Sequence, residues 1–200
     1  MFTNITSPAV DEIIDLMARS SQDERPYKVD LTVGVYKDSN DNVLLMKAVK
    51  QVDQLLANAG RNKGYVGSKG DLEYVQLLQE LVFANQTVNG HVRGVQTAGG
   101  SGGLRVILDL IKIANPKAKI WVSNPTYANH IPTIEAAGLD YAEYPFIDNK
   151  TMMLDESGMF ATLETLGKND VVLLHGSCHN PSGLSLTSQH WKKIAQLSKS

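Results

Sequence analysis

The chain has 200 residues, 42% of them apolar and 20% charged, with a formal net charge of −2. That balance is typical of a globular protein with a sizeable core, and with no basic block it implies neither nucleic acid nor an anionic membrane as a partner. Cys178 is the only cysteine, so no disulfide can form within the chain; the N-terminus lacks a secretory signal and no apolar run is long enough to span a bilayer, so a reducing, cytoplasmic setting is expected.

Ser7 is expected to cap a first helix, with Pro8 at its first position and Val10, Ile13, Ile14 and Met17 on one face. Residues 28–36 alternate like a strand, with Gly34 as a point of close backbone approach. From about Leu44 a helix carries Leu45, Ala48, Val49, Val52, Leu55 and Leu56 on its apolar face, and Gly60 ends it. Residues 60–70 form a loop rich in Gly, Lys, Asn and Ser around one aromatic, Tyr65. Asp71 then caps a helix running to about Asn85.

Strands and helices alternate from there on. Residues 92–97 read as a strand. Leu104, Ile107, Leu108 and Ile111 mark a helix stopped by Pro116. Residues 119–123 are a strand, 130–137 a short helix closed by Gly138, 139–144 a strand, 160–166 a helix and 171–175 a strand. This alternation predicts an α/β fold with a mainly parallel, doubly wound sheet covered on both faces. A last amphipathic helix starts near Thr187 with Trp191, Ile194, Ala195 and Leu197. It meets no Gly, Asn or Pro before Ser200, so the βα pattern stops in mid-unit.

Three turns carry the chemistry. In Thr97-Ala98-Gly99-Gly100-Ser101-Gly102-Gly103-Leu104-Arg105 a strand passes into a helix. Glycines allow close backbone approach, and the free N–H groups of the first helical turn with the Ser101 hydroxyl suit a phosphate. A Gly-x-Gly-x-x-Gly dinucleotide spacing fails, because its third glycine falls on Arg105 or Leu104, and no Gly-Lys-Ser/Thr follows for a Walker loop. In Trp121-Val122-Ser123-Asn124-Pro125-Thr126-Tyr127-Ala128-Asn129-His130 a strand, a Pro-bearing turn and a helix start place Tyr127 and His130 beyond the strand's carboxyl end. There an aromatic can stack on a flat ring, although taken singly Tyr127 also reads as a packing aromatic and His130 as a helix-start hydrogen bond. The third turn, His175-Gly176-Ser177-Cys178-His179-Asn180-Pro181-Ser182-Gly183, follows a buried strand and ends on a rigid Asn-Pro. His175, Cys178 and His179 supply too few ligands for zinc. The two histidines read as hydrogen-bonding anchors of the turn, and Cys178 as a small buried cysteine.

Together, and in this order after residues 29–38, these motifs resemble the aspartate/aromatic aminotransferases, the class I, fold-type I pyridoxal-phosphate enzymes. The resemblance covers essentially the whole chain. It implies a large doubly wound domain that holds pyridoxal 5'-phosphate and a small domain built from both chain ends. Residues 1–10 then correspond to an N-terminal arm that crosses to a partner, 11–43 to the start of the small domain and 44–200 to part of the large one. Gly99, Gly100 and Ser101 match the phosphate-holding positions. Tyr127 matches the aromatic on the pyridine ring that borders the substrate carboxylate, where close relatives carry Trp. Asn180 matches the residue bonded to the ring oxygen and the substrate carboxylate, Gly34 a glycine whose backbone meets the substrate, and His130 a histidine behind the ring. Tyr65 matches the tyrosine that reaches the neighbouring subunit's cofactor phosphate in a homodimer.

The implied reaction is transamination between an acidic or aromatic amino acid and a 2-oxo acid. The Schiff-base Lys of the family falls after residue 200 in the family's order, so no catalytic residue is expected within this chain and the 200 residues alone are expected to be inactive. A non-catalytic fragment that binds a phosphorylated ligand or pairs with a full-length subunit is the alternative, and another fold-type I enzyme such as a lyase a third.

Overall fold

In the computed structural model, residues 12–32, 34–40, 42–84 and 90–199 are described. Ser7, Pro8, Val10 and the expected arm lie outside them, as do Val33 and Asn85. The chain divides into two units, residues 1–64 and 65–200.

The first unit holds two helices, α1 (Glu12–Gln22) and α2 (Lys47–Asn58). The strand expected over residues 28–36 does not form. An isolated antiparallel bridge between Lys37 and Val43 is the only pairing there among the described residues. The Asp30 carboxylate accepts from the Thr32 N–H at 3.0 Å and from the Thr32 hydroxyl at 2.7 Å. That local turn competes with a ladder, and Leu31 is left 87% exposed. Gly60, at φ +56, follows α2 as expected, but the apolar stripe of α2 has no buried residue.

In the second unit α3 (Leu72–Phe83) begins where Asp71 accepts from the Tyr74 N–H, and it ends on Ala84 in the left-handed region. Residues 92–97 are extended but form no strand, because no ladder partner lies beside them among the described residues. They run against α3 instead: Gly94 lies so close to Val75 and Gln79 that a Cβ would collide with both.

α4 (Gly99–Ala114), β1 (Lys119–Asn124), α5 (His130–Ala136) and β2 (Asp140–Pro145) follow in the expected order. Two elements were not legible. One is a small antiparallel hairpin, β3 (Ile147–Asp148) with β4 (Met153–Leu154). The other is the true start of α6 (Glu156–Leu163), four residues before the expected one and capped by Asp155, which accepts from the Gly158 N–H at 2.8 Å. Replacing Asp155 by Ala is expected to cost about 1 kcal/mol, read as a lowered denaturant midpoint at constant slope. β5 (Asp170–Val172) is shorter than expected, and α7 (Ser188–Leu197) starts with a capping box between Thr187 and His190.

The parallel sheet has the order β2-β1-β5. Period-two alternation divides its side chains between two clusters. Ile120, Val122, Val171 and Leu173 join Leu108 of α4 and Ile134 of α5 on one face. Trp121, Val172 and Leu174 join Met159, Phe160 and Leu163 of α6 and Ile194 and Leu197 of α7 on the other. Helices therefore cover both faces, the doubly wound arrangement expected. The opposite side of α4 stays uncovered: Ile107, expected on its buried stripe, is 47% exposed and Leu110 57%.

This topology positions the site. The connection leaving β1 returns on one face through α5, and the one leaving β5 returns on the other through α7. In sheets wound this way ligands lie in the crevice beyond the carboxyl ends of the strands at such a switch, here those of β1 and β5. α4 leads directly into β1 through a short turn, so it runs antiparallel to β1 and its N-terminus faces the same edge.

Candidate active site at the strand ends

Three chain segments converge on that edge. The first is the N-terminus of α4. Ala98 caps it without a side-chain bond, and no acidic residue stands in the first turn. Gly99 sits at φ +71, a conformation open to glycine. A Cβ at Gly99 or Gly100 would meet nothing within 4 Å. The Gly99 N–H itself donates to the Thr97 carbonyl at 2.9 Å, Ser101 is exposed in the same turn, and the helix dipole favours an anion there.

The second segment is the turn after β1. The Asn124–Pro125 peptide is cis. Asn124 Nδ2 donates to Glu143 Oε2 at 2.7 Å, which ties the turn to β2. Tyr127 is 36% exposed, and its hydroxyl accepts from Asn129 Nδ2 at 2.8 Å. Its ring meets His130 edge-on at 5.4 Å between centroids. His130 Nδ1 is 2.7 Å from the Thr126 hydroxyl, the expected helix-start bond.

The third segment is the turn after β5. The Asn180–Pro181 peptide is also cis. Both of its histidines anchor it, as the sequence suggested. The Asn180 N–H donates to His175 Nδ1 at 3.0 Å. His179 is 2% exposed, and its Nε2 and Nδ1 each lie 2.8 Å from a hydroxyl, of Ser123 and of Ser182 respectively. Cys178 corrects the expectation of a buried thiol: it is exposed, at φ 45, with its N–H bonded to the Ser185 hydroxyl. A turn this tight directs that side chain outward.

Only the fold reveals what joins these turns. The rings of Tyr127, His130, His175, His179 and Phe146 form a continuous series, with successive centroids 5.4, 5.2, 4.4 and 3.8 Å apart. Burial lowers the pKa of all three histidines, and His179, also beside His175 and His130, falls to about 4. Burial likewise pushes the Tyr144 phenol up to about 12; its hydroxyl donates to the Leu173 carbonyl at 3.1 Å. Since His175 Nδ1 accepts from Asn180, a neutral ring carries its proton on Nε2. That atom is buried with no partner among the described residues, and an unmet buried donor points to an acceptor from beyond them.

The turns that carry Tyr127 and Asn180 thus meet through His130 and His175 at one sheet edge. Tyr65 is fully exposed, free of the unit's own core. Gly34 belongs to the first unit, where a Cβ would meet nothing within 4 Å. Among the described residues no group of His, Cys, Asp and Glu could hold a metal, and no helix is long and apolar enough to cross a membrane.

Comparison with known proteins gives a consistent picture. Residues 26–200 match the family model described as aminotransferase class I and II. A tyrosine aminotransferase from Rhizobium meliloti (strain 1021) is 41% identical over 197 residues, covering 98% of this chain and 50% of that protein. An aspartate aminotransferase from Salmonella typhi is 37% identical over 201 residues, covering 99% and 51%. Among solved structures, the aromatic-amino-acid aminotransferase from Burkholderia pseudomallei covalently bound to pyridoxal phosphate superposes with a TM-score of 0.95 at 32% identity, over 100% of this chain and 51% of that one. The chain spans about half the length of the curated relatives it matches.

Proposed function

The chain belongs to the class I and II aminotransferases, and from that membership we propose that it forms the N-terminal half of a pyridoxal-phosphate enzyme that moves an amino group between an acidic or aromatic amino acid and a 2-oxo acid. The observation that carries this reading is the shared edge: an uncapped, acid-free helix N-terminus on the side of the sheet where Tyr127 and Asn180 flank the crevice. The residues present fit the cofactor. Gly100 and Ser101 would hold its phosphate through backbone N–H groups and a hydroxyl, with Gly99, whose own N–H is bonded to the Thr97 carbonyl, giving the turn the room a phosphate needs. Tyr127 covers one face of its ring, over a smaller area than Trp would. The Asn180 amide donates to the ring oxygen and to a substrate carboxylate, and the orphaned His175 N–H supports the floor behind them.

When bound, the cofactor supplies an electron sink for the substrate's α-carbon. This chain's own share is anchoring, orientation and exclusion of water. The covalent and proton-transfer roles fall to residues that follow in the family's order.

The same reading assigns residues 1–10 to an arm that reaches a second subunit, 11–43 to the small domain and 44–200 to the large one. Gly34 meets substrate through its backbone, and Tyr65 reaches the neighbouring subunit's cofactor phosphate in a homodimer. The uncovered stripes of α2, α3 and α4 are the surfaces such a dimer and the remaining half of the fold would use. With one cysteine, the protein suits the cytoplasm.

The test is a titration of the complete polypeptide with pyridoxal phosphate, which is expected to give a visible absorption band. Ser101→Ala is expected to weaken retention by roughly 10- to 100-fold, the worth of one hydrogen bond to a charged group. Asn180→Ala is expected to move the pH midpoint of the band. Wild-type behaviour in both variants overturns the reading.

A further inference from the structure

We propose that His179 is a positioning residue: its buried imidazole pins three strand ends together and so aims the Asn180 amide at the cofactor ring. The inference rests on the function proposed above and extends it to a residue that touches neither cofactor nor substrate.

The geometry is that of a strut. Nε2 meets the Ser123 hydroxyl, on the last buried position of β1, at 2.8 Å. Nδ1 meets the Ser182 hydroxyl, inside the turn after β5, at 2.8 Å. One ring face lies on Phe146, just past β2, at 3.8 Å and 20° from parallel. The ends of all three strands of the sheet therefore meet on one side chain.

The backbone of His179 is also spoken for. Its N–H donates to the Leu184 carbonyl at 2.8 Å, and its carbonyl accepts from the Gly183 N–H at 2.6 Å. Asn180 comes next in the chain, and its own N–H is held by His175. The Asn180 main chain is thus held on its N-terminal side by both histidines, while the residue itself stays exposed.

A hydrophobic ring could not do the same. Phe at this position would keep the stacking on Phe146 but leave the fully buried Ser123 hydroxyl without its imidazole partner and Ser182 with only the Leu184 N–H. Burial keeps the imidazole neutral, so one nitrogen can accept while the other donates.

The experiment compares His179→Phe, His179→Asn and Ser182→Ala with Asn180→Ala in the complete, cofactor-loaded polypeptide. The readout is the pH midpoint of the visible band of the bound cofactor. His179→Phe is expected to move the midpoint in the same direction as Asn180→Ala and by at least half as much. Adding it to Asn180→Ala should cause no further shift, because both act through one amide. His179→Asn, whose amide replaces Nδ1 and keeps the Ser182 bond but loses the Ser123 and Phe146 contacts, is expected to restore only part of the wild-type midpoint.

A merely structural His179 would lower thermal stability and leave the midpoint at its wild-type value; that result, or shifts that add in the double variant, overturns the proposal. If His179→Phe does not fold, Ser182→Ala carries the same readings, since it removes the turn-side bond and leaves the core intact. If Asn180→Ala itself leaves the midpoint unmoved, the role given to Asn180 fails and that of His179 falls with it; the functional reading fails as well if Ser101→Ala also behaves as wild type. If Asn180→Ala shifts the midpoint and neither His179→Phe nor Ser182→Ala does, only the present proposal fails.

Discussion

Gly100→Asp is expected to abolish cofactor retention while leaving the fold as stable as before, or slightly more so. Gly100 is the second residue of α4, its φ lies outside the left-handed region, and a Cβ there meets nothing within 4 Å. The substitution therefore builds in no clash. A carboxylate in the first turn of a helix is favourable by roughly 0.3–1 kcal/mol, and replacing glycine inside a helix adds to that. The same carboxylate stands where the phosphate is proposed to sit. Two like charges about 4 Å apart near a protein surface repel by about 4 kcal/mol, so affinity should fall on the order of 1,000-fold. Thermal denaturation of the cofactor-free protein together with equilibrium dialysis checks both signs at once. Retained affinity in a stable Gly100→Asp protein would remove the α4 N-terminus as the phosphate seat.

Acid is expected to destabilise the sheet edge in a window that belongs to its histidines. The rings bond hydroxyls and a backbone amide, not carboxylates, and at His179 burial outweighs the one contact that favours the charged form, a backbone bond at Pro125. His179 titrates at about 4 in the folded chain and at 6.5 when unperturbed. Between those values the unfolded chain takes up a proton that the folded chain refuses, so stability rises with pH there. The contribution is complete above pH 6.5, is lost as pH falls toward 4, and changes no further below. One pKa unit is worth about 1.4 kcal/mol, so His179 alone accounts for on the order of 3 kcal/mol at most. His130 and His175 shift in the same direction.

The lowered carboxylates, Asp38 and Asp170 among them, act further down. The ordinary value of such a carboxyl is 3.8, and their stabilisation is lost only as pH falls below it. Denaturant midpoints measured at pH 7.5, 5.5 and 4 should therefore fall steadily, and the fall should shrink in His179→Phe. A profile that stays flat down to pH 4 contradicts the buried, neutral stack.

The β1-α5-β2 stretch was readable because its signals are local. Period-two runs, Pro125 in the turn and Gly138 at the helix end are punctuation that works within a few residues of itself. The caps at Asp71 and Thr187 are local too, and both formed. Residues 28–36 alternate and residues 92–97 read as a strand, yet the described residues of neither form one, because a strand exists only with a neighbour and the neighbour is not written in the segment. The hairpin at 147–154 escaped notice for the opposite reason: two residues per strand are too few to show a period. Cys178 was misjudged from its residue type, since the turn that exposes it is set by hydrogen bonds between residues 179 and 184.

The candidate site divides along the same line. The glycines before α4, the Asn-Pro turns and the family they resemble could be read from residues adjacent in the chain, because backbone conformation and capping depend on near neighbours. That His130, His175 and His179 form one series of ring contacts, that Phe146 closes it and that Ser123 ties it to β1 could not be read so. Those residues stand up to 56 positions apart, and only the order β2-β1-β5 sets them side by side. Burial, and with it the lowered basicity of the histidines, then follows from which strands are neighbours, a property of the packed sheet and not of any segment within it.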